Sequence, residues 1–195
     1  KPAKKKIRMN QLFTHTSGIV YPVFTTKGRA GYMKAKITDA FPGDGETLED
    51  NIKKLASVPL AHEPGEGNTY GMNMDVLGRV IEVLDGRPFA KYMRDEIFKP
   101  LEMDETGFSI PSKDYDRLVS VYTTKDGKMA PFDKAVFAER LPNNTPEWWK
   151  LNPDKIALGG GGIISTAYDY ARFLQMLVNG GELDGERILG RKTVD

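Results

Sequence analysis

The sequence predicts a mainly α-helical domain carrying one small β-hairpin. Three observations predict it. Apolar residues recur at helical spacing in several segments, and capping residues stand at the ends of those segments. Strand-like residues are confined to the two sides of a Lys125-Asp126-Gly127 turn. The 195 residues suffice for one domain with a real core, and 39% hydrophobic with 28% charged residues is ordinary for a folded globular chain.

The elements follow in order. Residues 9–14 read as a short helix that stops by Gly18. Thr47 opens the next, with Asp50 three residues on as its capping-box partner and Ile52 and Leu55 facing inward. Val76, Leu77, Val80, Ile81 and Leu84 form a stripe at helical spacing, which Gly86 ends. Pro88 suits the first turn of a helix through Phe98, with Phe89, Tyr92, Met93 and Ile97 on its buried side. Residues 118–122 and 128–132 flank the hairpin turn. The last helix starts at Ser165 or Thr166, with Asp169 in the capping position. Tyr170, Phe173, Leu174, Leu177 and Val178 line its face, and Asn179-Gly180-Gly181 terminates it. Residues 21–46 and 141–153 show little periodicity and read as long loops over the helical scaffold, where function tends to reside.

Composition narrows the chemistry. A net charge of +1 argues against nucleic acid as the main partner, which would demand a basic excess. Lys1, Lys4, Lys5, Lys6 and Arg8 crowd the start, either as a basic arm for an acidic surface or as a solvated charge run. Cysteine is absent, which removes disulfides, thiolate metal sites and cysteine nucleophiles. His15 and His62 lie far apart with no supporting ligand spacing, so neither a metal nor another cofactor is expected. Gly159 to Gly162 is followed by no Gly-Lys-Ser/Thr, so it is not a phosphate loop, and no Gly-x-Ser-x-Gly elbow occurs. No apolar run reaches the ~18 residues of a membrane span. No apolar secretory h-region is present, and no compartment is indicated.

Five segments carry a more specific pattern: IRMNQLFTHTSG from Ile7, PLAHEPG from Pro59, YGMNMDVLGRVIE from Tyr70, the stretch from Pro88-Phe89 to PLEMDETGF ending at Phe108, and GGGGIISTAYDYARF from Gly159. In this order they resemble the serine β-lactamase-like family, which includes penicillin-binding proteins, D-Ala-D-Ala carboxypeptidases and class C-type esterases. The resemblance covers nearly the whole chain. It implies acyl transfer through a serine ester, on an ester, an amide or a D-amino-acid peptide. A serine hydroxyl needs a base to take its proton. The family supplies a lysine one helical turn beyond the serine and a tyrosine from a second motif, the position that Tyr70 matches. Backbone N–H groups at the serine and on a C-terminal strand complete its oxyanion hole.

Two departures matter. No Ser-x-x-Lys occurs in these residues, and no Lys-Thr-Gly or His-x-Gly stands near Asp195. Where penicillin-recognising members carry Tyr-x-Asn, this chain has Tyr70-Gly71-Met72, and Asn73 would need a local shift to replace that amide. The spacing from Tyr70 to Asp75 resembles the esterase branch. The resemblance thus implies the helical domain of a larger serine hydrolase, with Tyr70 as its catalytic residue and Met72 and Tyr21 at the substrate. The bland readings are a half-buried structural tyrosine at Tyr70 and, for the chain, a non-catalytic binding domain or degenerate homologue. His15 is expected to tie a helix end to its turn. The glycine run is expected to permit close packing before the last helix. Trp148 and Trp149 are weaker candidates for the cleft border. Apolar surface left without an α/β partner would favour self-association.

Overall fold

The computed structural model describes residues 3–23, 28–39, 41, 45–134 and 145–195, apart from the side chain of Lys125, and every structural statement concerns these. Lys1 of the basic run and parts of the two predicted loops (24–27, 40, 42–44, 141–144) lie outside them.

Helix α1 (Met9–Phe13) starts where the Arg8 N–H donates to Gln11 Oε1 at 2.8 Å, and it buries Leu12. A further helix, α2 (Arg29–Lys34), lies within the stretch read as loop. It is six residues long, too short to display a periodic stripe, and it is anchored by the buried Tyr32. In α3 (Leu48–Leu55) the predicted cap is present: Thr47 Oγ1 accepts from the Asp50 N–H at 3.0 Å. Helix α4 (Asn73–Asp85) ends at Gly86. Helix α5 (Phe89–Met93) follows Pro88, which stands just before its first turn, and its last turn widens to a π turn at Arg94–Phe98.

Strands β1 (Tyr122–Lys125) and β2 (Lys128–Pro131) pair antiparallel, Tyr122 opposite Pro131 and Lys125 opposite Lys128. Asp126 and Gly127 both have positive φ, as a two-residue turn matched to strand twist requires. The first strand begins later than predicted because Ser112–Arg117 forms a 3-10 turn whose end occupies Leu118. Helix α6 (Ala167–Val178) is capped by Thr166, whose Oγ1 accepts from the Asp169 N–H at 3.1 Å. Beyond it come a second small hairpin, β3 (Glu182–Leu183) with β4 (Glu186–Arg187), and α7 (Arg191–Val194). Two-residue strands leave no alternation in the sequence, so this hairpin was not legible there. The chain is thus mostly helical with a few small strands.

Three apolar clusters form the interior. Leu12, Ile19, Val20, Tyr21, Tyr32, Ile37, Leu55 and Met72 make the first, and it underlies the site described below. Phe89, Phe108 and Leu158 belong to the second, and Phe98, Leu101, Met103 and Met176 form the third. Two predicted faces are rotated from expectation. On α4, Val76, Leu77 and Ile81 pack inward, but Leu84 is 81% exposed, and the fully buried positions are Asn73 and Asp75 in the first turn. On α6, Phe173 and Leu177 pack on the third cluster, whereas Tyr170, Leu174 and Val178 face solvent. In both helices buried polar groups (Asp75, Asp169) set the orientation, at positions an apolar count ignores.

Candidate active site

Tyr70 sits on the segment between the 59–65 turn and α4, and this segment runs beside residues 14–21. The Thr69 N–H donates to His15 O at 2.9 Å, and the Tyr21 N–H reaches Tyr70 O at 3.4 Å. Asn68 Nδ2 donates to Thr14 O at 2.9 Å. Gly71 makes the approach possible: a Cβ there would stand 2.2 Å from Ile19 O, so any larger residue would push the two backbones apart. The Tyr70 ring rests against His15, centroids 4.9 Å apart, and against Tyr21, 5.2 Å apart. Its backbone is held by the core while the side chain is 56% exposed.

Beneath Tyr70 lies a directed hydrogen-bond chain. The Ile19 N–H donates to Ser17 Oγ at 3.1 Å, so the Ser17 hydroxyl proton is turned to Asn73 Oδ1 at 2.5 Å. That fixes the amide: Asn73 Nδ2 donates to His15 Nδ1 at 2.8 Å, which also receives the Gly71 N–H at 3.4 Å. With Nδ1 accepting, the ring proton sits on Nε2. His15 itself has φ 54°, a left-handed conformation that these bonds and the α1 end hold in place. His15 is therefore placed as the sequence suggested, at a helix end, but through a partner that no local pattern announced. Ser17 and Asn73 are both fully buried. The Ser17 hydroxyl is committed to Asn73 and cannot attack a substrate. Asn73, read as one position late for the family's amide, is turned into the core.

A second buried polar group lies one residue pair further along α4. Asp75 Oδ1 accepts from the Gly160 N–H at 3.2 Å, and Oδ2 faces the Tyr21 hydroxyl at 3.4 Å, long for such a bond. Burial pushes the Asp75 carboxyl up to about 6, although the Gly160 and Tyr21 donors favour its charged form. Burial first, and then the Asp75 charge, drive the Tyr21 phenol far above its ordinary range. Gly160 closes over both: a Cβ there would lie 2.1 Å from the Tyr21 hydroxyl and 2.9 Å from Asp75 Oδ2. The glycine run thus serves close packing against the first turn of α4, the use expected of it.

Tyr70 and Tyr21 come together. Met72 follows Tyr70 in sequence, but its side chain is 0% exposed within the first cluster and presents no atom at the Tyr70 surface. Trp148 packs on Phe41 at 4.7 Å and donates from Nε1 to Gly162 O at 3.2 Å, which places it on the same glycine loop that covers Tyr21. Trp149 meets Trp148 edge-on at 5.0 Å. Sequence reasoning used Asp75 only as a spacing mark and gave it no role, since a carboxylate in the first turn of an otherwise apolar helix is ordinarily read as dipole compensation at the surface.

The sequence profile of the Beta-lactamase family matches residues 1–194. Esterase EstB of Burkholderia gladioli is 30% identical over 178 residues, covering 88% of this chain and 44% of EstB. A Salmonella typhi protein named as a D-alanyl-D-alanine carboxypeptidase is 26% identical over 98% of this chain and 43% of its own length. Among solved structures, EstCE1, described as a hydrolase with promiscuous acyltransferase activity, superposes with TM-score 0.75 at 25% identity, over 96% of this chain and 49% of that one. The chain therefore spans less than half the length of these relatives. The family match over residues 1–194 settles the lineage: the chain belongs to the Beta-lactamase family of serine hydrolases.

Proposed function

We propose that this chain supplies the tyrosine side of an acyl-serine site whose nucleophile is not among these 195 residues, in the helical part of a serine hydrolase. The observation that carries the reading is the seat of Tyr70: an exposed phenol on a backbone fixed by Gly71, His15 and Tyr21. A phenol so held can relay a proton to and from an attacking serine when cations beside it favour the phenolate. The reaction is transfer or hydrolysis of an acyl group. Esters are the favoured class, because EstB is named an esterase and the amide-holding Asn is replaced by a core methionine.

A second reading has its own support. Ser17 is buried and hydrogen-bonded, and no Ser-x-x-Lys occurs in the sequence, which favours a non-catalytic binding domain or degenerate homologue. The encoding frame separates the two. A Ser-x-x-Lys upstream of Lys1 and a His-x-Gly or Lys-Thr-Gly downstream of Asp195 are expected. In the protein that frame encodes, Tyr70→Phe should slow acylation by a p-nitrophenyl ester by roughly 10²–10⁴-fold. An unchanged acylation rate, or a frame lacking both motifs, would overturn the proposal in favour of the second reading.

A further inference from the structure

We propose that Asp75 is a positioning residue for Tyr70, acting through Tyr21; the inference rests on the catalytic reading of Tyr70 given above. The starting point is a carboxylate with no surface at all. Asp75 is 0% exposed, and among the described residues it forms no ion pair. Charged side chains are almost never buried without a partner, because desolvation costs several kcal/mol. The burial of this carboxylate is offset by what it bonds, the Gly160 N–H and the Tyr21 hydroxyl.

What it holds is specific. One oxygen takes the Gly160 N–H and the other faces the Tyr21 hydroxyl. Tyr21 then transmits the restraint in two ways, ring against ring with Tyr70 and backbone N–H to Tyr70 O. Gly160 leaves room for the hydroxyl, since any Cβ there would occupy its place. Three segments, the stretch ending at Tyr21, the first turn of α4 and the glycine run, meet at this one oxygen pair.

The pair also divides labour between two phenols packed ring to ring. Tyr21 is buried and donates inward to a carboxylate, whereas Tyr70 presents its side chain to solvent. Asp39 lies close enough to bear on both Tyr21 and Asp75, and it reinforces the same division by disfavouring negative charge on either. His15 flanks the other side of Tyr70 and supplies the second wall. Asp75 touches no reacting atom in this scheme. It sets where the reacting phenol stands.

The test uses this chain with ¹³Cζ-labelled tyrosine and reads the Tyr70 resonance by NMR. Asp75→Asn and Tyr21→Phe should each displace it, and Tyr92, on α5, should not move. The double variant should displace it no further than the larger single effect, the non-additivity expected when one residue acts through the other. Gly160→Ala should displace it as well, which keeps the test available if Asp75→Asn does not fold. A Tyr70 resonance unmoved in Asp75→Asn, or displacements that add in the double variant, would overturn the proposal. None of these measurements reads activity. An unmoved resonance therefore refutes the positioning role alone, whereas unaltered acylation in Tyr70→Phe refutes the catalytic reading of Tyr70.

Discussion

Replacing Asn73 by alanine should destabilise this chain by about 2–4 kcal/mol. Asn73 is fully buried, and its amide makes two side-chain hydrogen bonds, from Ser17 Oγ at 2.5 Å and to His15 Nδ1 at 2.8 Å. Each net hydrogen bond is worth about 1 kcal/mol, and a buried partner left unsatisfied costs roughly 1–3 kcal/mol. Ser17 has no exposed surface, so its hydroxyl pays that penalty in full. His15 is half-buried and recovers part of its loss from water. Urea unfolding of the isolated chain is the assay. With a slope of about 2–3 kcal/mol/M the midpoint should fall by roughly 0.7–2 M at unchanged slope. Ser17→Ala alone leaves Asn73 Oδ1 and the Ile19 N–H, both buried, without this partner and should cost roughly 2–4 kcal/mol. Combined with Asn73→Ala it should cost less than the sum, because the unsatisfied hydroxyl is then gone. A loss below about 1 kcal/mol for Asn73→Ala, or strict additivity of the pair, would show that the chain of bonds under Tyr70 is not what holds the loop.

Other outcomes follow from the same structure. The Asp75 carboxyl is raised to about 6 by burial, so the folded chain binds its proton more tightly than the unfolded chain does. The stability this group contributes is present at low pH and is lost as pH rises from about 4 through about 6, an effect on the order of 2–3 kcal/mol. Asp75→Asn should therefore compare more favourably with the native chain at pH 7 than at pH 4, in urea titrations of both; a difference independent of pH would contradict this. Thr166→Ala removes the cap of α6, where Thr166 Oγ1 receives the Asp169 N–H, and should cost about 1 kcal/mol in the same assay.

The parts of the fold that could be read in the sequence are those set by neighbours in the chain. Thr47 and Thr166 cap their helices through residues three positions on, and Asp126-Gly127 closes its hairpin, because each is decided within one turn of backbone. The faces of α4 and α6 were read only in part: Val76, Leu77, Ile81, Phe173 and Leu177 pack inward, but the stripe continues into solvent at Leu84 and Val178, and a buried carboxylate stands in the first turn of each. In α6, Asp169 Oδ2 takes the Glu105 N–H at 2.9 Å and the Thr106 hydroxyl at 2.8 Å, partners more than sixty positions away. The candidate site shows the same division. The motif singles out Tyr70, and the fold sets Tyr21 beside it. The bonds that seat them join residue 17 to 73, 15 to 73, and 75 to 160, and no spacing rule connects those positions. Met72 adjoins this segment in sequence, but it is buried in the core whereas Tyr70 is exposed, a difference that adjacency in the chain does not reveal.

The central claim is that this chain holds the tyrosine of an acyl-serine site without its nucleophile. Intact-mass spectrometry after incubation with a fluorophosphonate and, separately, with a penicillin tests it most directly. The chain should emerge at its native mass of 21.8 kDa with no adduct from either reagent. A stoichiometric adduct mapped to a serine of this chain would contradict the claim and locate the nucleophile within it.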